Sequence, residues 1–300
     1  MNWLRVRKSK LLICSLAIAV GLNLAFNFRV PVQAAAAVPP PNNCVGIASD
    51  SNGDGHVTMQ MPPLPGGDVG IVFIRPYAPI LRQELDVLGL DYLTVADHSL
   101  TASGLTSSDR TNYLKSNQYG GLIADRCKFN IVGPFIPDVA AAKATPEQYS
   151  AQLVPLIGGL ISKNPHTTIF VLSHYQTARA DFTASNNGFG MTADRINAFI
   201  ARFIQVCQPS GTIGRIPQVM CLDTQSFFAG MGTSYLLTSV DQAQFKTIIY
   251  GPSSFRPRVE QFFADHPDEK VVGDGIHLSL AGRVRLMHSL AALISRMSDF

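Results

Sequence analysis

A carboxylate and an imidazole stand three positions apart near the C-terminus, in the segment Asp274-Gly-Ile-His277. A helical pattern opens just afterwards at Ser279, so both polar side chains are expected on a short loop and not on a core face. This spacing lets Asp274 reach one nitrogen of His277 and set its tautomer, which leaves the other nitrogen free to act as a general base. The segment is therefore predicted to supply the acid–base half of a hydrolytic site.

A hydroxyl that such a base could activate follows the first predicted strand. Ser51 comes shortly after Cys44–Ala48, an apolar run that is typical of a buried strand. In a doubly wound α/β sheet, the carboxyl end of the first strand borders the ligand crevice. We therefore expect Ser51 to be a nucleophile that His277 deprotonates.

Three segments of the chain resemble the sequence blocks of the SGNH/GDSL hydrolases. Ser49–Gly55 resembles the Gly-Asp-Ser-Asn-x-x-Gly nucleophile block, with Ser49 in place of its first glycine. Thr101–Gly104 resembles the block whose glycine N–H donates to the oxyanion, and Asp274–Gly282 closely matches the closing block. The resemblance extends over residues 44–297.

The resemblance implies a serine ester hydrolase that cleaves small acyl esters, acetyl or short acyl, carried by a small molecule, a carbohydrate or a lipid. It implies Ser51 as the nucleophile, His277 as the base and Asp274 as its orienting partner. It implies the backbone N–H groups of Ser51 and Gly104 as oxyanion donors. The implied fold is a flavodoxin-like three-layer α/β/α sandwich with a five-stranded, mostly parallel sheet. An acyltransferase shares the first half-reaction, so that alternative stays open.

The loop after the third predicted strand departs from the family pattern. The family has Gly-x-Asn-Asp there, and the Asn side chain is a third oxyanion donor, whereas Gly133–Asp138 contains no Asn. Losing one such donor typically lowers the rate by about 10²–10³-fold. His98, before the glycine block, and His174, after the fourth strand, are the candidate substitutes as substrate-binding side chains, although a packed or surface role is the simpler interpretation of each.

The string around Ser51 also fits a calcium loop. Asp50, Asn52 and Asp54 occupy positions 1, 3 and 5 of the EF-hand pattern. Position 12 is Met61 instead of a bidentate Glu, and a strand precedes the loop where a helix is expected. The alternative function is a non-catalytic calcium- or glycan-binding domain on a degenerate SGNH fold. For the hydrolase we expect no nucleotide cofactor, because no Gly-rich phosphate loop opens a helix after the first strand. We expect no metal, because no His/Cys/Asp cluster has metal-ligand spacing apart from the calcium-like string.

Short apolar runs that alternate with amphipathic helices position these residues in an α/β fold. The segment Phe227–Asp268 is an insertion to which the pattern assigns no structure. The predicted strands are Cys44–Ala48, Tyr92–Val95, Phe129–Val132, Ile169–Leu172 and Val219–Leu222.

Three helices have clear sequence signals. One opens with Thr145 as N-cap, Pro146 at the first helical position and Gln148 completing a capping box. A second spans Thr192–Val206, and the last runs over Ser279–Met297. The residues of the last helix that are predicted to face inward are Val284, Met287, Ala291 and Ile294.

The first 34 residues have the layout of a secretory signal peptide. Basic residues precede the apolar run Leu11–Phe26, and a small-residue cleavage site lies near Ala34. The run is shorter than the roughly 20 residues that cross a bilayer. We predict removal of residues 1–34, a Pro-rich linker over 35–43 and an SGNH-like domain over 44–300. The expected location is secreted or periplasmic, with no stable membrane anchor after cleavage.

The charge balance limits the partners. Residues 1–34 carry five of the 24 Lys and Arg residues and none of the 21 Asp and Glu residues, so the remaining chain is slightly acidic. It retains no Lys/Arg cluster that could follow a phosphate backbone, which argues against a nucleic-acid partner. The expected partner is a small-molecule or glycan ester substrate.

Four of the five cysteines remain after the predicted cleavage, and an even number in an exported chain suggests disulfides. Cys207 and Cys221 flank a short Pro/Gly-rich loop, and such short closures favour their pairing. This leaves Cys44 with Cys127, each at the start of a predicted strand. The strand order implied by the family resemblance sets these two strands side by side, which agrees. Four buried free thiols are the alternative.

Overall fold

The computed structural model describes residues 40–61, 69–106, 112–140, 144–177 and 191–298. The predicted signal peptide, residues 1–34, lies outside the described residues, as does most of the predicted linker. Within the described residues, no helix is both long and apolar enough to cross a membrane.

The predicted parallel sheet is present and forms the centre of the fold. The strands in the described part of the chain are, in order, β1 (Asn42–Ala48), β2 (His56–Gln60), β3 (Val69–Phe73), β4 (Thr94–Asp97), β5 (Cys127–Val132), β6 (Thr168–Leu172), β7 (Val219–Leu222), β8 (Ser239–Val240) and β9 (Val271–Gly273). The central sheet has the order β4-β1-β5-β6-β7, and every neighbouring pair is parallel. All of its carboxyl ends therefore lie at one edge, where ligands bind in such sheets.

Strand β4 begins at Thr94, two residues later than the predicted strand Tyr92–Val95. Tyr92 is about half exposed and lies in a turn that the Leu93 N–H closes on the Leu90 carbonyl at 3.0 Å. The strand proper then pairs with β1 from Thr94 onward. In a sequence, an aromatic residue at the end of a turn looks the same as the first residue of a strand. Only the pairing with β1 shows that Tyr92 belongs to the turn.

A second, antiparallel sheet was not predicted. It has the order β3-β2-β9-β8 and joins residues just after the Ser51 turn to residues just before Asp274. The segment 227–268, to which the sequence assigned no structure, supplies much of its separate apolar core. The buried members of that core are Val57, Met59, Met61, Val72, Ile74, Leu237, Val240, Phe245, Phe255, Val259, Phe263 and Val271.

Helices flank the parallel sheet. In the described part of the chain, the helices are α1 (Ser51–Asp54), α2 (Tyr77–Val87), α3 (Asn117–Asp125), α4 (Ile136–Val139), α5 (Pro146–Lys163), α6 (Ala193–Cys207), α7 (Thr224–Phe227), α8 (Gln242–Ile248), α9 (Arg256–Asp265) and α10 (Leu280–Ser298). Of these, α8 and α9 bury their apolar residues in the separate core of the second sheet. Helices α2 and α10 pack together, and α5 packs against both α3 and α6. The three-layer α/β/α architecture is thus confirmed.

The predicted helix signals are largely confirmed. Thr145 and Gln148 form the expected capping box, and the Thr192 side chain accepts a hydrogen bond from the Arg195 N–H. In α10 the residues Met287, Ala291 and Ile294 are fully buried as expected, but Val284 is 38% exposed. The inward position next to it is taken by Arg283, which is completely buried.

Both predicted disulfides are present. Cys44 is bonded to Cys127 and Cys207 to Cys221. The first bond joins the starts of the neighbouring parallel strands β1 and β5, and the second ties the end of α6 to β7. Two such bonds fit a protein that folds in an oxidising compartment.

Candidate active site

Ser51 opens the one-turn helix that directly follows β1. The Asp50 side chain caps this turn by accepting a hydrogen bond from the Asn52 N–H at 2.9 Å. The turn ends at Gly55, whose φ of 92° lies in the left-handed region that glycine adopts without strain. The tight turn places the Ser51 hydroxyl at the carboxyl edge of the sheet, and its Oγ lies 2.7 Å from Nε2 of His277.

The other nitrogen of His277 faces Asp274. The distance from Nδ1 to Oδ2 is 2.5 Å, and Oδ1 accepts the backbone N–H groups of Ile276 and His277 at 2.9 Å each. Strand β2 adds the Thr58 N–H, which donates to Oδ2 at 3.1 Å. A carboxylate held by so many donors has little rotational freedom. It therefore holds Nδ1 as the donor and leaves Nε2 to accept the proton of the Ser51 hydroxyl.

The electrostatics of this pair suit a general base. Burial alone would lower the pKa of His277, but the charge and hydrogen bond of Asp274 outweigh burial and set that pKa above its usual value. Burial alone would raise the pKa of Asp274, yet the charge of His277 and the hydrogen bonds to the carboxylate hold it below its usual value. Asp274 thus stays ionised while His277 takes up and releases a proton.

Two further contacts join the Ser51 turn to the His277 loop across 226 residues of sequence. Asn52 Oδ1 accepts the Leu278 N–H at 3.0 Å. The guanidinium of Arg283 donates through Nε to the Leu278 carbonyl at 3.2 Å and through Nη1 to the Asn52 carbonyl. The distance between nucleophile and base is therefore set by contacts behind the site as well as within it.

A cavity of about 280 Å³ opens beside Ser51 and His277. One part of its wall is apolar and consists of Val57, Ile71, Ile136, Pro137, Ala140 and Ile276. The side chains of His56, Thr58 and Thr101 add polar groups to the same cavity. Its volume lies at the small end of the range for ligand pockets, so it suits a small acyl group.

Known proteins with this architecture were found by structure and not by sequence. No protein-family model matches the chain, and no curated protein matches its sequence. A carbohydrate acetylesterase from Sinorhizobium meliloti superposes with a TM-score of 0.53 at 13% identity, over 85% of this chain and 99% of that one. An aryl esterase from M. smegmatis gives 0.51 at 16% identity, over 84% and 98%. A protein named as a GDSL-like lipase, from Parabacteroides merdae, gives 0.50 at 13% identity, over 87% and 99%.

This chain has the SGNH hydrolase fold. The three identities are low, so the comparison establishes the architecture, and the chemistry has to be argued from the side chains themselves.

The segment Thr101–Gly104 reaches the cavity through its first residues. Thr101 and Ala102 line the cavity, whereas Gly104 packs against Asp138, whose carboxylate would lie 2.7 Å from a Cβ at Gly104. Ala102 has a φ of 56°, an uncommon conformation for a residue with a side chain. The role of Gly104 as an oxyanion donor therefore stays a prediction, since Gly104 is buried and Ala102 is the exposed residue of this segment.

The loop that lacks the family Asn is tied to the nucleophile turn instead. The Ile136 N–H donates to Oδ2 of Asp50 at 2.7 Å, while Ile136 itself lines the cavity. Asp138 accepts the N–H groups of Leu105 and Thr106 at 2.6 and 3.0 Å, which joins this loop to the one after β4. Both carboxylates thus hold backbone segments around the cavity.

His98 and His174 do not line the cavity, which contradicts their suggested substrate-binding role. His98 Nε2 lies 2.7 Å from the Asp125 carboxylate of α3. His174 is buried between the rings of Tyr149 and Phe199, and burial lowers its pKa to about 4. Its neighbours are aromatic because the strand that precedes it is covered by α5 and α6, so it is a neutral core residue.

The calcium-loop alternative does not agree with the contacts of its proposed ligands. Asp50 holds the Asn52 and Ile136 N–H groups, Asn52 accepts from Leu278, and Asp54 faces His56. Each of these side chains already binds a partner within the protein, whereas a calcium loop needs oxygen atoms that converge on the ion. The described residues contain no group of three or more His, Cys, Asp or Glu side chains arranged to hold a metal ion.

Two polar residues of the cavity, His56 and Thr58, were not predicted from the sequence. His56 Nδ1 lies 2.7 Å from the Asp54 carboxylate and 2.7 Å from the Thr101 hydroxyl. An Asp and a His flanking the glycine that ends the Ser51 turn were a usable signal for His56.

Proposed function

We propose that this protein is a serine ester hydrolase that cleaves small acyl esters through an acyl-Ser51 intermediate. The observation that carries the proposal is the contact series Ser51 Oγ to His277 Nε2 at 2.7 Å and His277 Nδ1 to Asp274 Oδ2 at 2.5 Å. The SGNH fold and the small, mostly apolar cavity next to Ser51 support it.

In the proposed reaction, His277 takes the proton of the Ser51 hydroxyl as Oγ attacks the ester carbonyl. The resulting oxyanion is stabilised by backbone N–H groups, that of Ser51 at the start of its helical turn and one from Thr101–Gly104. His277 then gives its proton to the departing alkoxide as the carbon–oxygen bond breaks. Water attacks the acyl-enzyme with His277 again as the base, and the carboxylic acid leaves with Ser51 restored.

The test uses p-nitrophenyl acetate and butyrate together with a fluorophosphonate probe that labels activated serines. Mature protein should turn over the acetate and be labelled on Ser51. Ser51→Ala and His277→Ala should each lower kcat by about 10⁴-fold or more. His98→Ala serves as the matched control, because that imidazole lies outside the cavity, and should keep near-normal turnover. Absence of labelling in the folded, unmodified protein would overturn the proposal.

We also propose that the protein is exported and that residues 1–34 are removed. The two disulfides support this location, because such bonds persist in oxidising compartments. Mass spectrometry of protein recovered outside the cytoplasm should give an N-terminus near Ala35. A chain that keeps Met1 would contradict the cleavage.

A further inference from the structure

His56 is a second oriented imidazole in the cavity that contains Ser51. The Thr101 hydroxyl donates to the Asp54 carboxylate, and His56 Nδ1 lies 2.7 Å from both of these groups. An ionised carboxylate only accepts, and the Thr101 proton is already given to Asp54. In the tautomer that fits both contacts, the proton is on Nδ1, and Nε2 is a hydrogen-bond acceptor that neither contact uses.

The ring is held in place before any ligand arrives. Its edge contacts the ring of Phe73, directly opposite on the neighbouring strand β3, with centroids 4.2 Å apart. The His56 side chain remains 28% exposed and lines the cavity. A carboxylate that orients one ring nitrogen, on a partly exposed side chain that lines the cavity, is the arrangement of a recognition group.

The position of His56 relative to the acid–base pair indicates which part of an ester it faces. His56 and Thr58 are two residues apart on β2, so their side chains share one face of the strand, and both line the cavity. The Thr58 N–H donates to Asp274, the partner of His277. The alcohol part of an ester must depart beside His277, because it takes its proton from that imidazole. His56 thus shares a strand face with a residue whose backbone contacts this acid–base pair, which favours the alcohol side of the site for His56.

We propose that His56 Nε2 accepts a hydrogen bond from a free hydroxyl on the alcohol part of the substrate. The preferred substrate is then a partly acylated diol, polyol or sugar, and not an ester of a simple alcohol. This inference rests on the proposed esterase function and adds to it the substrate class and the residue that selects it.

The test compares esters that differ only at this hydroxyl. Acetates of 1,2-ethanediol, 1,3-propanediol and 1,4-butanediol are each paired with the matching methyl ether. The kcat/KM ratio of each pair is divided by its ratio for hydroxide-catalysed hydrolysis, which removes intrinsic reactivity. One neutral hydrogen bond corresponds to about a two- to tenfold preference, so at least one free diol ester should exceed its ether by that factor.

Two variants separate recognition from folding. In His56→Gln the side-chain amide lies near the former Nε2, and this variant should keep part of the preference. In His56→Asn the amide mimics Nδ1 only, and the corrected ratio should fall to about one. The corrected ratio compares two substrates of the same variant, so any general loss of activity caused by either substitution cancels from it.

The outcomes distinguish this inference from the esterase proposal. Equal corrected ratios in the unmodified protein for all pairs, with Ser51-dependent turnover intact, would overturn the role of His56 alone. A preference that survives in His56→Asn would do the same. Loss of all Ser51-dependent turnover would overturn the esterase function, and the inference with it.

Discussion

The side-chain oxygen of Asn52 accepts a hydrogen bond from the backbone N–H of Leu278 at 3.0 Å, one residue beyond the nucleophile and one residue beyond the base. Arg283 reinforces the same junction from a completely buried position, with its guanidinium also over the Tyr77 ring at 5.5 Å. The separation of Ser51 and His277 therefore depends on groups that touch no substrate.

Arg283→Met should weaken both stability and activity. The substitution removes the buried donor of the Asn52 and Leu278 carbonyls. Each unsatisfied carbonyl lowers the free energy of unfolding by about 1–3 kcal/mol. We expect unfolding free energy to fall by about 2–5 kcal/mol and kcat/KM to fall at least tenfold. Arg285→Met on the exposed side of the same helix is the control and should cost under about 1 kcal/mol. Urea unfolding with ester kinetics measures both, and equal effects of the two variants would disprove the argument.

Asp274→Asn should change the pH profile as well as the rate. General-base action needs neutral His277, so kcat/KM should decline as pH falls through the pKa of that imidazole, which Asp274 holds above 6.5 against the effect of burial. Without the carboxylate charge, this decline at acid pH, the acid limb of the profile, should move to lower pH. At pH 8, kcat should fall by about 10⁴-fold. Asp125→Asn, which alters the partner of His98, should leave the limb in place. An unmoved limb in Asp274→Asn would contradict the assigned pair.

Asp50→Asn should reveal a pH-dependent cost of the buried carboxylate. Burial raises the pKa of Asp50 to about 6, above the unfolded value of 3.8, despite the hydrogen bonds it accepts. Because this pKa is raised on folding, the folded protein binds the Asp50 proton more tightly than the unfolded chain does. The contribution of Asp50 to the free energy of unfolding is therefore complete below pH 4 and is lost as the pH rises through 6. The stability of the unmodified protein relative to Asp50→Asn should thus fall by about 3 kcal/mol between pH 4 and 8, at about 1.4 kcal/mol per pKa unit. Urea titrations across that range would refute this if the difference stayed constant.

The side chain of Ser49 occupies space that a glycine leaves free. A Cβ on Gly133 would lie 2.7 Å from Ser49 Oγ, and both positions are buried. Gly133→Ala should therefore cost about 1–3 kcal/mol through overpacking, and the Ser49→Gly/Gly133→Ala double variant should recover most of it. Gly158→Ala, where a Cβ would meet nothing within 4 Å, should instead stabilise helix α5 by about 1 kcal/mol. Thermal melts of these variants, of Ser49→Gly alone and of the unmodified protein test this, and a double variant whose effect is the sum of the two single effects would disprove the contact.

The two disulfides should differ in their contribution to stability. They close loops with sequence separations of 83 and 14 residues. Chain entropy then predicts losses of about 4.5 kcal/mol for Cys44→Ser/Cys127→Ser and about 3 kcal/mol for Cys207→Ser/Cys221→Ser. Denaturant unfolding of the two double variants measures the order, and a larger loss from the shorter loop would contradict it.

Local patterns in the sequence were enough for the helix caps, the parallel strands and the cysteine pairing. Thr145 and Thr192 cap helices because a side-chain oxygen next to an amphipathic stretch meets free N–H groups whatever the tertiary context. Tyr92 and Val284 were assigned wrongly for the opposite reason. Their apolar side chains satisfy the local periodicity, but a turn and a buried Arg283 determine which neighbours face the core.

The sequence by itself determined the α/β class and the residue types of the candidate site, because both follow from short-range periodicity and from motif spacing around Ser51 and Asp274. Only the tertiary structure decided which polar residues meet. It brought His56 into the cavity, placed His98 and His174 outside it, and turned Asp50, Asn52 and Asp54 toward three different partners. The position of His56 depends on how β2 of the second sheet pairs with β9, a contact across more than 200 residues that no local pattern encodes.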